Sequence, residues 1–273
     1  MTPSPVMVTG SSGYLGSTVM QALQSRGTPH SSLLGRLEHT PLATADSWRA
    51  LVHCAGRLRG HSPRRIWTDN VIATAALLDA VPSDAVFVFP SSRVVNSTVL
   101  DAYGRSKQAA ERLVMKHPGP VWVVRLTVLA GPSLRGLGPS FLSRMAESAL
   151  GNASITVPYE CRLVDLLDVR EASAVLAAVA ELPDDLHRTL HATIGPVCLS
   201  VLAGLVSEAA QSITGKRVRL IRASMPAGEV PPMDPGEWQD LRVRCGIPSI
   251  PLEVTVRDTV STHAKLLESH ATI

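Results

Sequence analysis

Pro5-Val6-Met7-Val8-Thr9-Gly10-Ser11-Ser12-Gly13-Tyr14-Leu15-Gly16 is a short apolar run that breaks into three glycines spaced three apart. Val19, Met20 and Leu23 follow at helical spacing. The stretch predicts a strand, a tight turn and a helix whose first N–H groups and positive dipole end suit a pyrophosphate. Gly10 permits the turn, Gly13 lets a phosphate approach the main chain, and Gly16 lets helix pack on strand. Ser12, Tyr14 and Leu15 are the intervening positions expected to meet the same ligand.

Outward from this unit, strand-like and helix-like segments alternate. Residues Ser31–Leu34 and Ala50–His53 read as strands, the second ending in the small residues Cys54-Ala55-Gly56 that allow close main-chain approach. Thr68–Val81 carries apolar residues at helical spacing and stops before Pro82. Val86–Phe89 and Val121–Leu126 read as buried strands, with a helix at Ser106–Val114 between them. Continuous apolar strands separated by helices predict a Rossmann-type, doubly wound parallel α/β sheet covered on both faces.

After Gly131-Pro132 the texture changes to a Gly/Pro/Ser loop, a helix at Phe141–Leu150, a strand at Leu163–Asp168 and a helix at Glu171–Leu182. Ser200–Thr214 predicts a helix ended by Gly215, and Val256–Leu267 a last helix beyond a Pro/Gly-rich tail. The division expected is a dinucleotide-binding domain at 1–131, to which 161–195 return. A smaller substrate-binding lobe is expected at 132–160 and 196–273.

The chain has 273 residues, 45% hydrophobic and 18% charged, ample for one large domain with a smaller cap. Its net charge is +3, and only Lys107, Lys116, Lys216 and Lys265 of its 26 basic residues are lysines. No basic cluster is interleaved with stacking aromatics, so nucleic acid is not an expected partner. Cys54, Cys161, Cys198 and Cys245 lie far apart without metal spacing; buried, reduced thiols and no metal are expected. The first strand begins almost at Met1, leaving no room for a signal peptide, and no apolar run approaches the roughly 18 residues of a bilayer span. A cytoplasmic protein without a membrane partner is expected.

Tyr103-Gly104-Arg105-Ser106-Lys107 opens a helix and places Tyr103 and Lys107 on one face. A tyrosine hydroxyl, with an ordinary pKa of about 10, is a poor acid–base catalyst at neutral pH unless a nearby ammonium favours its phenolate. Lys107 can supply that charge and also hold a ribose hydroxyl. Ser92 falls at the C-terminal end of a strand, where ligands bind in an open α/β sheet. It can orient a carbonyl while Tyr103 donates a proton.

These residues carry a family resemblance. The glycine turn, Val52-His53-Cys54-Ala55, Asn70-Val71, Ser91-Ser92, the Tyr103–Lys107 segment and Val164–Ala172 occur in the order of an extended short-chain dehydrogenase/reductase of the nucleotide-sugar epimerase/dehydratase group. The resemblance spans nearly the whole chain. It implies Ser92, Tyr103 and Lys107 as a catalytic triad, Asn70 as a further active-site residue, and Gly10, Gly13 and Gly16 at a pyrophosphate. It further implies His53, Ala55 and Lys107 at the cofactor, and Arg93 and Arg162 toward the substrate. A homodimer through the Tyr103 helix is compatible with it.

Departures from the family pattern narrow the reaction. The segment from Arg36 to Ala50 is short, with Asp46 the one candidate for the acidic residue near adenine, and the connection from Val95 to Tyr103 is short as well. Arg93 and Val94 stand where dehydratases carry an Asp-Glu pair, so elimination lacks its acid and base. Leu33-Leu34-Gly35-Arg36 ends the second strand without an acid, and Arg36 suits a 2′-phosphate by charge and fork geometry. NADP(H) is therefore the preferred cofactor, with NAD(H) the alternative. The expected activity is NADPH-dependent reduction of a small-molecule ketone, on a nucleotide-activated deoxysugar or a secondary metabolite. The competing readings are an epimerase with retained NAD and a non-catalytic NADP-binding sensor.

Overall fold

The structure, a computed structural model, describes residues 4–33, 48–133, 135–182, 187–224 and 233–271. Strand β1 (Val6–Thr9) leads into α1 (Tyr14–Ser25), and β2 (His30–Leu33) returns parallel beside it. β3 (Ala50–His53) pairs with the other edge of β1, so strand order reverses there and opens a crevice at the strand ends. A helical run follows as α2 (Pro63–Trp67), a π-helical turn (Thr68–Ile72) and α3 (Ala73–Leu78). Next come β4 (Val86–Ser92), a 3-10 turn (Arg93–Asn96), α4 (Ala102–Val114) and β5 (Val121–Leu126).

The chain then forms β6 (Val128–Ala130), the hairpin of β7 (Pro132–Ser133) and β8 (Gly136–Leu137), α5 (Phe141–Asn152), β9 (Ser154–Pro158) and β10 (Leu163–Asp168). Helix α6 (Val169–Val179) and β11 (Arg188–Ala192) return to the main sheet. β12 (Pro196–Cys198), α7 (Leu199–Thr214), β13 (Arg219–Ala223), α8 (Gly236–Arg244) and α9 (Leu252–Ala271) complete the described elements.

The main sheet has six parallel strands in the order β11-β5-β4-β3-β1-β2. Alternate residues of its strands serve two different cores. Val6, Val8, Val88, Trp122 and Val124 pack on the side of α1 and α6, and Met7, Phe87, Phe89, Val121 and Val123 on the side of α3 and α4. A strand buried on both faces has no place for polar alternation, which is why these read as unbroken apolar runs. The expected Rossmann-type sheet is the one observed.

A third core joins α5, α7 and α9 to β9 and β10 through Leu142, Ile155, Leu166, Leu202, Val206 and Val256. Capping is local and legible: Asp101 accepts from the Gly104 N–H to start α4, Ser140 caps α5, and Gly215, at φ +68°, ends α7. The segment 233–247, expected with the smaller lobe, instead packs Trp238, Leu241 and Ile247 into the core of the main sheet. There the Trp238 indole donates to buried Glu171 at 2.9 Å.

The expectation of four reduced thiols is corrected. Cys161 and Cys198 form a disulfide with their Cα atoms 5.6 Å apart, although 37 residues separate them in sequence. The cause is tertiary: β10 runs antiparallel to β12 with Leu163 opposite Cys198. Cys54 and Cys245 are free thiols. Among the described residues no helix is long and apolar enough to cross a membrane.

Candidate active site

At the crevice beside β1, Gly10 takes φ +65° and its amide neighbour Gly13 donates to the Gly10 carbonyl at 2.9 Å. A Cβ at Gly10 would lie 2.6 Å from the Ala55 nitrogen, and one at Gly16 would overlap the Gly10 carbonyl. Only glycine fits either place. Gly13 heads α1 without a side-chain cap, and no acidic residue stands in the first turn. Uncapped N–H groups in a cradle free of Cβ atoms fit the pyrophosphate of a dinucleotide.

Ser12 and Gly13 are exposed at the turn, and Leu15 packs its side chain on the main core. The Tyr14 hydroxyl donates to the Gly131 carbonyl at 2.6 Å, and its ring fills the space where Gly138 lacks a Cβ. Burial, with Asp168 nearby, holds the Tyr14 phenol above its ordinary pKa. Ala55 donates its N–H to Thr9 Oγ1 at 3.1 Å, fixing the end of β3 against the end of β1. Arg36, and with it Asp46, lies outside the described residues.

Ser92 at the end of β4 is hydrogen-bonded to Tyr103 on the first turn of α4. Burial raises the Tyr103 pKa, while the Ser92 bond and Arg59 act to lower it and Asp101 to raise it. Lys107, one turn along, is buried; its Nζ donates to the Pro90 carbonyl at 2.7 Å and lies 4.2 Å from the Phe89 ring centroid. Burial pulls its pKa down to about 8, with Glu111 and Cys54 opposing the shift. Ser92 thus stands at the end of β4, with Tyr103 and Lys107 one turn apart at the start of α4.

Two expected site residues act through other groups. Asn70 is buried in the π-helical turn, where its Oδ1 accepts the Arg57 N–H at 2.6 Å. Its Nδ2 donates to the Arg57 carbonyl at 3.0 Å and to Ser106 Oγ at 2.9 Å. Both of its Nδ2 protons and one Oδ1 lone pair are used in bolting the loop after β3 to α4. His53 is likewise buried, with Nδ1 2.7 Å from Thr9 Oγ1 and Nε2 2.9 Å from Thr74 Oγ1. Thr74 gives its one proton to the Asn70 carbonyl, so Nε2 carries the imidazole proton and Nδ1 accepts from Thr9. The His53 side chain thus braces Thr9 of β1 against Thr74 of α3.

On the substrate side, Arg93 follows Ser92 directly and lies 3.4 Å from buried Asp165, which Thr193 holds at 2.7 Å. Burial lowers the Arg93 pKa and raises that of Asp165. Arg162 heads β10 half-buried, its carbonyl accepting the Leu199 N–H at 2.8 Å. Sequence reading missed Arg59, whose guanidinium lies 4.9 Å from the Tyr103 ring centroid, and Asp101, which pairs with it. Asp101 carries a helix-start signature that reveals its cap. Arg59 carries none.

Comparison with known proteins follows the same lines. No sequence among curated proteins matches the chain. Among solved structures the fold is similar to "MoeE5 in complex with UDP-glucose and NAD", at 21% identity and TM-score 0.76 over 97% of this chain and 100% of that one. It is similar to "RMD from Pseudomonas aeruginosa complexed with NADPH" at 20% identity and TM-score 0.75, covering 96% and 99%. A UDP-glucose 4-epimerase matches at 16% identity and TM-score 0.78, covering 96% and 98%. The model of the NAD dependent epimerase/dehydratase family matches residues 6–195, well over half the chain. With its six-stranded parallel sheet and glycine cradle, the chain belongs to that family of NAD(P)-dependent enzymes, of the extended short-chain dehydrogenase/reductase type.

Proposed function

We propose that the chain is an NADPH-dependent ketoreductase acting on a nucleotide-activated deoxysugar or a secondary-metabolite ketone. The observation that carries this reading is the hydrogen bond between Ser92 and Tyr103, with the buried Lys107 ammonium one helical turn on. When bound, a reduced nicotinamide supplies the hydride that converts the carbonyl carbon to an alcohol carbon and leaves the cofactor oxidised. The chain's own residues handle the proton. Ser92 orients the carbonyl oxygen, and Tyr103 gives its hydroxyl proton to that oxygen as charge develops there. Lys107 holds the ribose and balances the phenolate until solvent returns the proton. Gly10, Gly13 and Gly16 hold the pyrophosphate, and Arg36 answers the 2′-phosphate. Arg93 and Arg162 are assigned to the substrate. The similar structures include an NADPH complex and NAD complexes, compatible with either cofactor.

The test is loss of NADPH absorbance with a panel of ketones. Tyr103→Phe should lower turnover about 10²–10⁴-fold while NADPH still quenches protein fluorescence. Full turnover by that variant sinks the assignment. Similarity to a UDP-glucose 4-epimerase favours a second reading, epimerisation with retained NAD. It would give co-purifying NAD and a stereoisomer of the substrate without net cofactor consumption. Retention of Ser92, Tyr103 and Lys107 together speaks against a sensor, which would bind cofactor and consume none.

A further inference from the structure

We propose that Arg59 is an electrostatic positioning residue for proton transfer, a cation fixed over the Tyr103 ring that acts through the phenol. The inference rests on Tyr103 being the proton donor. Its guanidinium carbon lies 4.9 Å from the ring centroid, within the range where a cation is attracted to an aromatic face. Its Nε donates to Asp101 Oδ2 at 2.5 Å, while Asp101 Oδ1 accepts the Gly104 N–H at 2.7 Å. One carboxylate therefore starts the helix that carries Tyr103 and anchors the cation above it.

The loop bearing Arg59 is held from the other side as well. Two residues earlier, the Arg57 main chain makes both bonds to Asn70, and its side chain pairs with Asp69 at 2.5 Å. Asn70 in turn donates to Ser106, whose hydroxyl donates to the Tyr103 carbonyl at 2.7 Å. A continuous set of hydrogen bonds thus ties the loop to the turn of α4 on which Tyr103 sits. The Arg59 side chain is exposed, with Asp101 as its ion-pair partner.

The charge it supplies lies over the ring and favours the ionised phenol. As Tyr103 releases its proton, the phenolate forms beneath a guanidinium that needs no rearrangement. The groups that act on the phenol are Ser92 from β4, Arg59 from the loop after β3 and Asp101 from the cap of α4. Asp101 opposes ionisation, and Lys107 directs its ammonium to the Pro90 carbonyl. Arg59 is the cation that lies on the ring face.

The chain has three tyrosines, so subtracting the ultraviolet titration of Tyr103→Phe from that of the parent isolates Tyr103. Arg59→Gln should leave about two- to fivefold less phenolate at a given pH, Arg59→Glu less still, and Arg59→Lys should restore part of the loss. The kcat of Arg59→Gln should fall by a similar factor, with KM for NADPH unchanged. A Tyr103 titration in Arg59→Gln that superposes on the parent's overturns the inference. If Arg59→Gln unfolds, the Lys and Glu variants decide: equal displacement in both overturns it, and opposite ranking by charge supports it. Full turnover by Tyr103→Phe overturns the proton-donor assignment instead, and the titrations still judge Arg59 on their own.

Discussion

His53 shows how a residue expected at a ligand can be held for the fold. Burial pulls its pKa down to about 3, with the Lys107 charge adding to the effect. The unfolded imidazole titrates near 6.5, so between those values the unfolded chain binds a proton that the native chain refuses. Stability from this group is complete above pH 6.5 and is lost as pH falls toward 3, amounting to roughly 2 kcal/mol by pH 5. His53→Gln bonds without titrating, and its stability to urea should fall less between pH 7 and 5 than the parent's. An identical fall in both would show that other groups govern acid unfolding. Ser92, Tyr103 and Lys107 could be singled out because their spacing is local: a strand end and an i, i+4 pair. Arg59 could not, since it reaches Tyr103 through a loop whose course depends on Asn70, Asp69 and Asp101.

Among the elements, the helical run 63–78 is the informative departure. Apolar spacing predicts one helix over Thr68–Val81, whereas the run begins at Pro63 behind the Ser62 cap and widens into a π turn at Thr68–Ile72. Period counting assumes a constant 3.6 residues per turn and does not register a widened one. The wide turn is where Asn70 sits between Arg57 and Ser106. Asn70→Ala would leave the Arg57 N–H and carbonyl without these partners, a loss of about 1–3 kcal/mol per group left unsatisfied in the interior. Hydrogen exchange at the Arg57 amide should accelerate more than at the β3 amides; uniform acceleration would mean that Asn70 supports the whole fold and not the loop. Helix α8 escaped notice for a different reason, its short run lying within Pro- and Gly-rich sequence and finding its stability in Trp238 burial. The central strands β3 and β5, by contrast, were readable to the residue, because burial on both faces leaves one kind of sequence available, whereas the partly exposed edge strand β11 was not expected.

For the molecule as a whole, two cores meet around buried Asp168, which caps α6, pairs with Arg170 at 2.7 Å and accepts from Thr255 of α9 at 2.8 Å. Gly131 passes so close that a Cβ there would lie 2.9 Å from that carboxylate. A change of composition suggested a boundary at residue 131; the packing of α8 on the main sheet was not foreseen, because which core an apolar helix joins is decided by tertiary packing. Tyr14 spans the same junction: it stands in the first turn of α1, its hydroxyl holds the Gly131 carbonyl, and its ring lies on Gly138 just before α5. A dinucleotide held at the first turn of α1 would therefore bear on a residue that also holds Gly131 and Gly138. For the proposed reductase the expected kinetic outcome is a compulsory order of addition, cofactor first and cofactor last to leave. Product-inhibition patterns should show the oxidised cofactor competitive with the reduced one alone, and Tyr14→Phe should drift toward random order.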